Sequence, residues 1–284
     1  MALIVLASAS GSPGVSTTAL GLTLNWHRPV LLVDADPTGS SAVFAGYFHG
    51  TQEPTGGLIN LALALREGTL AAALPRETLL LDPEAPAERA PWFLPGIRAH
   101  EQAPSLLPLW EPLAEQLRAL DRNGQDVIVD AGRLGLAGWP QPVVAASDLT
   151  LLVTRSSLPA LAGARSWAKM LRDQFAAAGG LSRLRLLLVD EDRRWPAMPT
   201  GVPRVRPYTP RHIAKALQIS VAASVGWDPE AAEVYSHGAR KPRKFESSDL
   251  VRSYRTAASL IHSVLTSHQA ALAHPTSLTS GGRA

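Results

Sequence analysis

Residues 9–20, ASGSPGVSTTAL, join a short apolar run to a helical stretch and are rich in small and hydroxyl side chains. A turn of this kind at a helix start presents backbone N–H groups to an anion, and the usual phosphate-binding spacing is Gly-x4-Gly-Lys-Ser/Thr. Gly11 takes the first glycine position, whereas Ser16, Thr17 and Thr18 take the last three. The spacing predicts a phosphate loop without its lysine, although a turn that only caps a helix has the same composition.

Carboxylates follow two further apolar runs. Asp34 and Asp36 end VLLVDAD, and Asp130 ends DVIVD, where Gly132 comes two residues later. Carboxylates at such strand ends hold Mg²⁺ and orient a nucleophilic water. We therefore predict Asp34, Asp130 and the Thr18 hydroxyl as metal ligands, and Asp36 and Asp130 as the catalytic groups of an active site. One such aspartate alone could instead be a helix cap.

Apolar β-type runs alternate with helical stretches along the chain, which favours a mostly parallel sheet covered on both faces. The runs predict strands at 2–8, 29–36, 77–82, 125–132, 148–155, 183–190 and 220–226. Helical spacing is found at 20–26, 57–68, 104–123, 159–178, 212–218, 228–238 and 247–271. The predicted fold class is α/β, with three layers, as a single domain over 1–271 and a disordered tail over 272–284. Residues 190–210 are rich in Pro and Arg and predict a loop.

The order and spacing of these segments resemble the MinD/ParA family of P-loop ATPases along nearly the whole chain. VLLVDADPTGSS is similar to the switch I strand of that family, and DVIVDAG to its Walker B and switch II segment. The family loop, Lys-Gly-Gly-x-Gly-Lys-Thr-Thr, falls on residues 12–19. The resemblance implies ATP and Mg²⁺ as ligands and implies nucleotide contacts from Gly11, Ser12, Pro13, Gly14, Val15, Ser16, Thr17 and Thr18.

Both lysines of the family loop are replaced here. The lysine that binds β- and γ-phosphate becomes Thr17, and the signature lysine that reaches the partner's nucleotide becomes Ser12, while Pro13 lacks an N–H group. A lost charge-assisted hydrogen bond costs roughly 1.5–3 kcal/mol, and a neutral one about 1 kcal/mol. We expect nucleotide affinity to be about two to three orders of magnitude weaker, hydrolysis to be weak or absent, and no nucleotide-driven homodimer.

Two other residues are candidates for the nucleotide site. Arg133 lies three residues after Asp130 and could supply a substitute cation, or it could be a solvated side chain of the switch segment. Asp190 ends the strand where the family often carries an asparagine that meets the adenine. A carboxylate there could accept hydrogen bonds from guanine, or the cluster Asp190, Glu191 and Asp192 could be a solvated turn.

The charge distribution points to an anionic partner for the C-terminal part. Residues 1–180 carry 12 basic and 16 acidic side chains, whereas 181–284 carry 15 and 8. The run GARKPRKF concentrates Arg240, Lys241, Arg243 and Lys244 beside Phe245, and such a run binds DNA or an anionic membrane surface, or forms a solvated loop. The chain has no cysteine, which fits a reducing cytoplasm, and its first residues are a core strand rather than a signal peptide.

The resemblance implies a positioning, partitioning or scaffolding protein whose nucleotide site is degenerate and whose protein partner is unknown. An active ATPase is the first alternative, with Arg133 as the substitute cation, in chromosome or plasmid partitioning or in localising a pilus or secretion system. A DNA-binding module that ignores nucleotide is the second alternative.

Overall fold

The computed structural model describes residues 2–9, 14–39, 41–52, 56–190 and 208–273, with side chains described up to residue 270. The apolar runs form the strands β1 (Leu3–Ser8), β2 (Val30–Asp34), β3 (Leu79–Leu80), β4 (Pro91–Leu94), β5 (Asp126–Arg133), β6 (Leu149–Arg155), β7 (Leu184–Asp190) and β8 (Val221–Gly226). The α-helices are α1 (Val15–Leu24), α2 (Leu58–Arg66), α3 (Leu70–Ala73), α4 (Trp110–Ala119), α5 (Gln141–Ala146), α6 (Leu158–Ala177), α7 (Pro210–Leu217), α8 (Pro229–Ser236) and α9 (Asp249–Ala273).

The strands form one sheet in the order β3-β4-β2-β5-β1-β6-β7-β8. Neighbouring strands run parallel except for β3, which pairs antiparallel with β4 at one edge. Strand β8, which corresponds to the predicted strand at 220–226, forms the other edge. The expected three-layer α/β architecture is therefore confirmed, and the carboxyl ends of the parallel strands share one rim where ligands bind in such sheets.

The two faces of the sheet are covered by different helices because side chains alternate along each strand. On one face Leu3 and Val5 pack with α2, α3, α4, α5, α6 and α7. On the other face Ile4 and Leu6 pack with α1, α8 and α9. The side that carries α1 is the side on which the phosphate loop must open, so we call it the α1 face.

The predicted helix over 104–123 is interrupted. A 3-10 segment, His100–Leu106, precedes α4, and a second one, Leu120–Asn123, follows it. Pro104 and Pro108 explain the break because proline removes a backbone donor and clashes with the preceding turn. Leu107, which the sequence pattern placed on the buried face, is 55% exposed as a result.

Three elements were absent from the prediction, and the first is helix α3, which has four residues and follows α2. Strand β4 has four residues and joins β2 to β3, and it is too short for an alternation pattern to stand out. Helix α5 has six residues and follows Pro140. The predicted loop over 190–210 lies outside the described residues from 191 to 207, and the predicted tail lies outside them from 274. Residues 272 and 273 continue α9, and the single domain over 1–271 stays a prediction.

Candidate functional site

Helix α1 begins at Val15, inside the predicted phosphate loop and before the predicted helical stretch at 20–26. Gly14 precedes the helix with φ 84°, a left-handed conformation that glycine adopts without strain, and its carbonyl accepts a hydrogen bond from Thr18 N at 2.9 Å. Ser16 and Thr17 lie in the first turn and are half-buried. Gly11, Ser12 and Pro13 lie outside the described residues. The described half of the loop has the turn and the helix start that anion binding needs.

A cavity of about 720 Å³ opens at this helix start and is the right order of size for a small-molecule site. Its rim contains carboxylates from Asp36, Asp228 and Glu233 and cations from Arg133 and Arg155. Val15, Thr17 and Thr18 line it from α1, and Val189, Val225, Gly226, Trp227 and Tyr254 are among the residues that line it from β7, β8 and α9.

Helix α9 closes one wall of the cavity through Tyr254. Its hydroxyl lies 3.3 Å from the Thr17 carbonyl oxygen, to which it donates, and its ring packs directly against Gly21 of α1. A Cβ atom on Gly21 would lie 2.2 Å from the ring, so glycine is required for this helix contact. Burial, the largest cause, raises the pKa of Tyr254 well above its usual range, so the phenol stays neutral.

A second, smaller cavity of about 90 Å³ is lined by Ser16 of α1 and by three carboxylates, Asp34, Asp36 and Asp130. Asp34 and Asp130 are register partners on neighbouring strands β2 and β5, and both continue the α1 face. The Asp130 carboxylate accepts a hydrogen bond from Gly132 N at 2.9 Å, and the nearby Ser16 side chain acts to lower its pKa. Burial and the neighbouring carboxylates raise the pKa of Asp34 to about 6 and that of Asp130 to about 7.

Asp36 lies between the two cavities and lines both. Its carboxylate accepts a hydrogen bond from Thr38 N at 2.9 Å. Gly132 makes room for it, because a Cβ atom at Gly132 would lie 2.3 Å from the Asp36 carboxyl carbon, and Gly132 also has φ 61°. The glycine after the Asp130 strand therefore has a direct structural role in the site.

The predicted magnesium ligands are divided between these cavities. Thr18 lines the large cavity, whereas Asp34 and Asp130 line the small one, and Ser16, Asp36 and Thr38 line both. In the part of the chain that the structure describes, no group of three or more carboxylate or histidine side chains is placed to hold a metal ion alone. Mg²⁺ usually binds through one or two carboxylates together with substrate phosphates, and paired carboxylates with raised pKa values suit that arrangement.

Of the remaining predicted nucleotide contacts, Arg133 lines the large cavity and is exposed. Asp190 is half-buried at the end of β7, where its backbone carbonyl accepts a hydrogen bond from Trp227 N at 3.1 Å. Among the described residues that line the large cavity, β7 contributes Val189 and not Asp190. A base-reading role for Asp190 stays a prediction.

Three residues of the site were not singled out by sequence reasoning: Arg155, Trp227 and Tyr254. The Arg155 guanidinium lies 4.6 Å from the ring centroid of Trp227, a cation–π contact inside the cavity. The tryptophans were interpreted mainly as core residues, which holds for Trp26 and Trp110 but not for half-buried Trp227. The available signal was position, because Arg155 ends one apolar run and Trp227 directly follows another.

The basic run follows α8, away from the large cavity. Arg240, Lys241, Arg243 and Lys244 are all exposed. Lys241 Nζ lies 5.6 Å from the centroid of the Phe245 ring, which is buried and anchors the segment. Lys241 also lines a separate cavity of about 420 Å³, together with Arg89, Arg255 and Glu246. The four side chains are accessible to an anionic partner.

Comparison with solved structures finds ATPases of one fold. The ParA family ATPase from Chlorobium tepidum TLS has a TM-score of 0.65 at 18% identity, covering 91% of this chain and 99% of that chain. MinD from Pyrococcus horikoshii OT3, complexed with Mg-ADP, has a TM-score of 0.63 at 19% identity, covering 92% and 96%. A chain of the MinC:MinD cell division complex of Aquifex aeolicus has a TM-score of 0.67 at 14% identity, covering 93% and 96%.

The chain therefore has the fold of the MinD/ParA-like P-loop ATPases, as the resemblance implied. Models of protein families and curated protein sequences give no match to it. In the described part of the chain, no helix has both the length and the apolar character needed to cross a bilayer.

Proposed function

We propose that this protein is a MinD/ParA-like positioning or scaffolding factor with a degenerate nucleotide site, which binds nucleotide weakly and hydrolyses it slowly or not at all. The observation that carries the proposal is a cavity of about 720 Å³ at the start of α1 whose described loop residues offer hydroxyls and no lysine. The fold matches ATPases of cell division and partitioning, which supports a positioning role.

The residues present fit a nucleotide with Mg²⁺. The N–H groups at the start of α1 would hold a phosphate, and Asp36, with Asp34 and Asp130 behind it, would hold the cation. When bound, the nucleotide would supply a phosphoanhydride bond and a negative charge that the magnesium partly neutralises. What the site lacks is a lysine fixed in the first turn of α1, because that position holds Thr17. Transition-state charge is consequently stabilised less well than in a loop that carries lysine.

Ser16 is a second difference from the family loop. In the family loop this position is glycine, whereas here it is a serine whose side chain lies beside the Asp130 carboxylate and lowers its pKa. This contact links the loop to the strand end on which the family holds its catalytic aspartate. It favours a fixed loop over one that rearranges with the state of the nucleotide, which suits a scaffold better than a switch.

Calorimetric titration with ATP, ADP and GTP in the presence of Mg²⁺ tests this proposal, with phosphate release measured in parallel. We expect dissociation constants near the millimolar range and turnover at background. Brisk hydrolysis by the unmodified protein would instead support an active ATPase, and the Arg133→Gln variant would then show whether Arg133 supplies the cation.

A second candidate function is binding of an anionic surface through the basic run. The exposure of Arg240, Lys241, Arg243 and Lys244 favours it. Replacing all four with Gln should weaken DNA binding and lower its dependence on salt, since each lost phosphate contact reduces the slope of log affinity against log salt by about one. Binding to duplex DNA and to anionic vesicles is measured at low and moderate salt. Unchanged binding and slope would mean that the run is only a solvated loop.

The protein partner is proposed by analogy alone. A structural neighbour is solved as part of a MinC:MinD complex, which fits a protein partner for this chain.

A further inference from the structure

We infer that Arg155 supplies the positive charge that the phosphate loop has lost, by binding a phosphate group of the nucleotide while Trp227 holds the guanidinium in place. The assignment rests on the proposed nucleotide site and names the residue in that site that carries its affinity. Arg155 comes from a different strand and a different part of the chain than the loop lysine that it replaces.

The direction of the Arg155 side chain follows from the alternation of β6. Leu149, Leu151 and Val153 pack on the α1 face, so Arg155 continues that face one step beyond the last apolar residue. The same rule applies to β1, where Ser8 follows Leu6 and lines the large cavity. Arg155 consequently lies on the α1 face of the sheet, where it lines the large cavity.

The position of Arg155 along the sheet places it next to the phosphate loop. Strands β1 and β6 are neighbours, and Ser8 is the register partner of Val153. Arg155 lies two residues beyond Val153, which is beyond the point where β1 leaves the sheet to enter the loop. On its other side its register partner is Val189 of β7. A cation at this position lies beside the end of β1, where the chain enters the phosphate loop.

Trp227 fixes the guanidinium without using its hydrogen-bonding edge. The cation–π contact, 4.6 Å to the ring centroid, uses the flat face of the group. Hydrogen bonds to a phosphate use the N–H groups in its plane, so the two contacts do not compete. The backbone of Trp227 is fixed in turn, because its N–H group donates a hydrogen bond to the Asp190 backbone carbonyl.

Arg133 is the other arginine of the described cavity lining and differs in two respects. It is exposed, whereas Arg155 is half-buried. It also follows Gly132, whose left-handed backbone turns the chain at the end of β5. A half-buried, stacked arginine loses less side-chain entropy on binding and is less screened by water than an exposed one. Arg155 is therefore the stronger candidate.

The test compares Arg155→Gln with Arg133→Gln, which removes the other arginine of the described cavity lining, by following Trp fluorescence during titration with ATP, ADP and adenosine. We expect Arg155→Gln to weaken ATP binding by about tenfold or more, as for a lost charge-assisted hydrogen bond, and to leave adenosine binding unchanged. Arg133→Gln should change ATP affinity by less than about threefold. Arg155→Lys, which keeps the charge but not the planar edge, should fall between wild type and Arg155→Gln.

Each contrary outcome has a separate meaning. Wild-type protein that binds no nucleotide rejects the proposed function, and the role of Arg155 with it. If wild type and Arg155→Gln bind ATP equally well, and thermal melting shows that both are folded, only the role of Arg155 is rejected. Equal losses for ATP and adenosine would show that Arg155 contacts the nucleoside, and that result also overturns the assignment.

Discussion

The two cavities at the carboxyl rim of the sheet share Ser16, Asp36 and Thr38 but differ in chemistry. The small, acidic one is closed around Asp34 and Asp130, which come from neighbouring strands β2 and β5. The large one is open, and beside its carboxylates it has the cations Arg133 and Arg155 and the aromatic rings of Trp227 and Tyr254. The small cavity has the carboxylates that a P-loop ATPase would use, whereas the cations of the large cavity come from residues outside the loop.

This difference indicates how such a site can change. The ionised carboxylates in the small cavity lower the stability of the folded protein, since burial and mutual repulsion raise their pKa values. A bound cation would stabilise their charged form. The first turn of α1 has Thr17 and no lysine, and Arg155 ends β6, the strand next to β1. Binding and hydrolysis respond differently to such a change, because hydrolysis needs a charge placed on the reacting phosphate.

The largest expected effect is on the acidic side. Asp130 has a pKa of about 7 in the folded protein and about 4 unfolded, so between those pH values the folded state binds more protons and stability falls as pH rises. At pH 8 without metal, Asp130→Asn should raise the free energy of unfolding by roughly 3 kcal/mol, and the gain should vanish near pH 4. Urea unfolding between pH 4 and pH 8 measures this.

The control for that measurement is Asp173→Asn, because Asp173 is exposed on α6. Its profile between pH 5 and pH 8 should match that of wild type. If Asp130→Asn is less stable than wild type at pH 8, favourable contacts offset the cost of burying the Asp130 carboxylate. That result would remove the contrast between the cavities.

The next largest effect concerns Gly132, which makes room for Asp36. Gly132→Ala should lower the free energy of unfolding by about 2–3 kcal/mol, because the residue has φ 61° and its Cβ would meet the Asp36 carboxyl carbon at 2.3 Å. Gly179→Ala is the matched control, with φ 66° and no atom within 4 Å of the added Cβ, and should cost about 1 kcal/mol. Equal losses in thermal or urea unfolding would mean that the contact with Asp36 relaxes freely.

A smaller effect is expected from restoring the loop. Changing Ser12 and Thr17 to Lys and Pro13 and Ser16 to Gly should strengthen ATP binding by about tenfold or more, equivalent to at least about 1.4 kcal/mol. Calorimetry on the folded variant measures it. A folded variant with no gain would place the defect in the cavity itself rather than in the loop.

The smallest expected effect is on oligomeric state. Because Ser12 replaces the lysine that crosses to the partner's nucleotide in the family, ATP with Mg²⁺ should leave the mass of the wild-type protein unchanged in light scattering. The loop-restored variant serves as the positive comparison. A shift of the wild type from monomer to dimer mass on adding ATP would contradict the prediction.

Much of this site could be predicted because its parts are local in sequence. The helix start at Gly14 and the carboxylates Asp34, Asp36 and Asp130 each follow an apolar run, and one run with its ending is enough to recognise each of them. The parallel α/β sheet follows from the same alternation of strands and helices. The break at Pro104 and Pro108 was also visible, and periodicity was given too much weight there.

The pairing of Arg155 with Trp227 lies beyond such reasoning. The two residues are 72 positions apart and end two strands that are not neighbours, since β7 lies between β6 and β8. Sequence alternation tells which face each side chain takes, but only the order of strands in the sheet decides which side chains meet at the rim. The position of Tyr254 depends in the same way on tertiary packing, because Gly21 lets α9 approach α1 closely.

The sequence alone therefore determined the fold class, the helix start and the carboxylates, because backbone geometry and alternation act over a few residues. The tertiary structure decided that Ser16 of the first turn lies beside Asp130 in the small cavity, that an arginine from β6 stacks on a tryptophan after β8, and that Asp34 and Asp130 line the small cavity rather than the large one. These contacts join segments far apart in the chain, and their free energy comes from burial and charge that exist only once the sheet and its two helical layers are assembled.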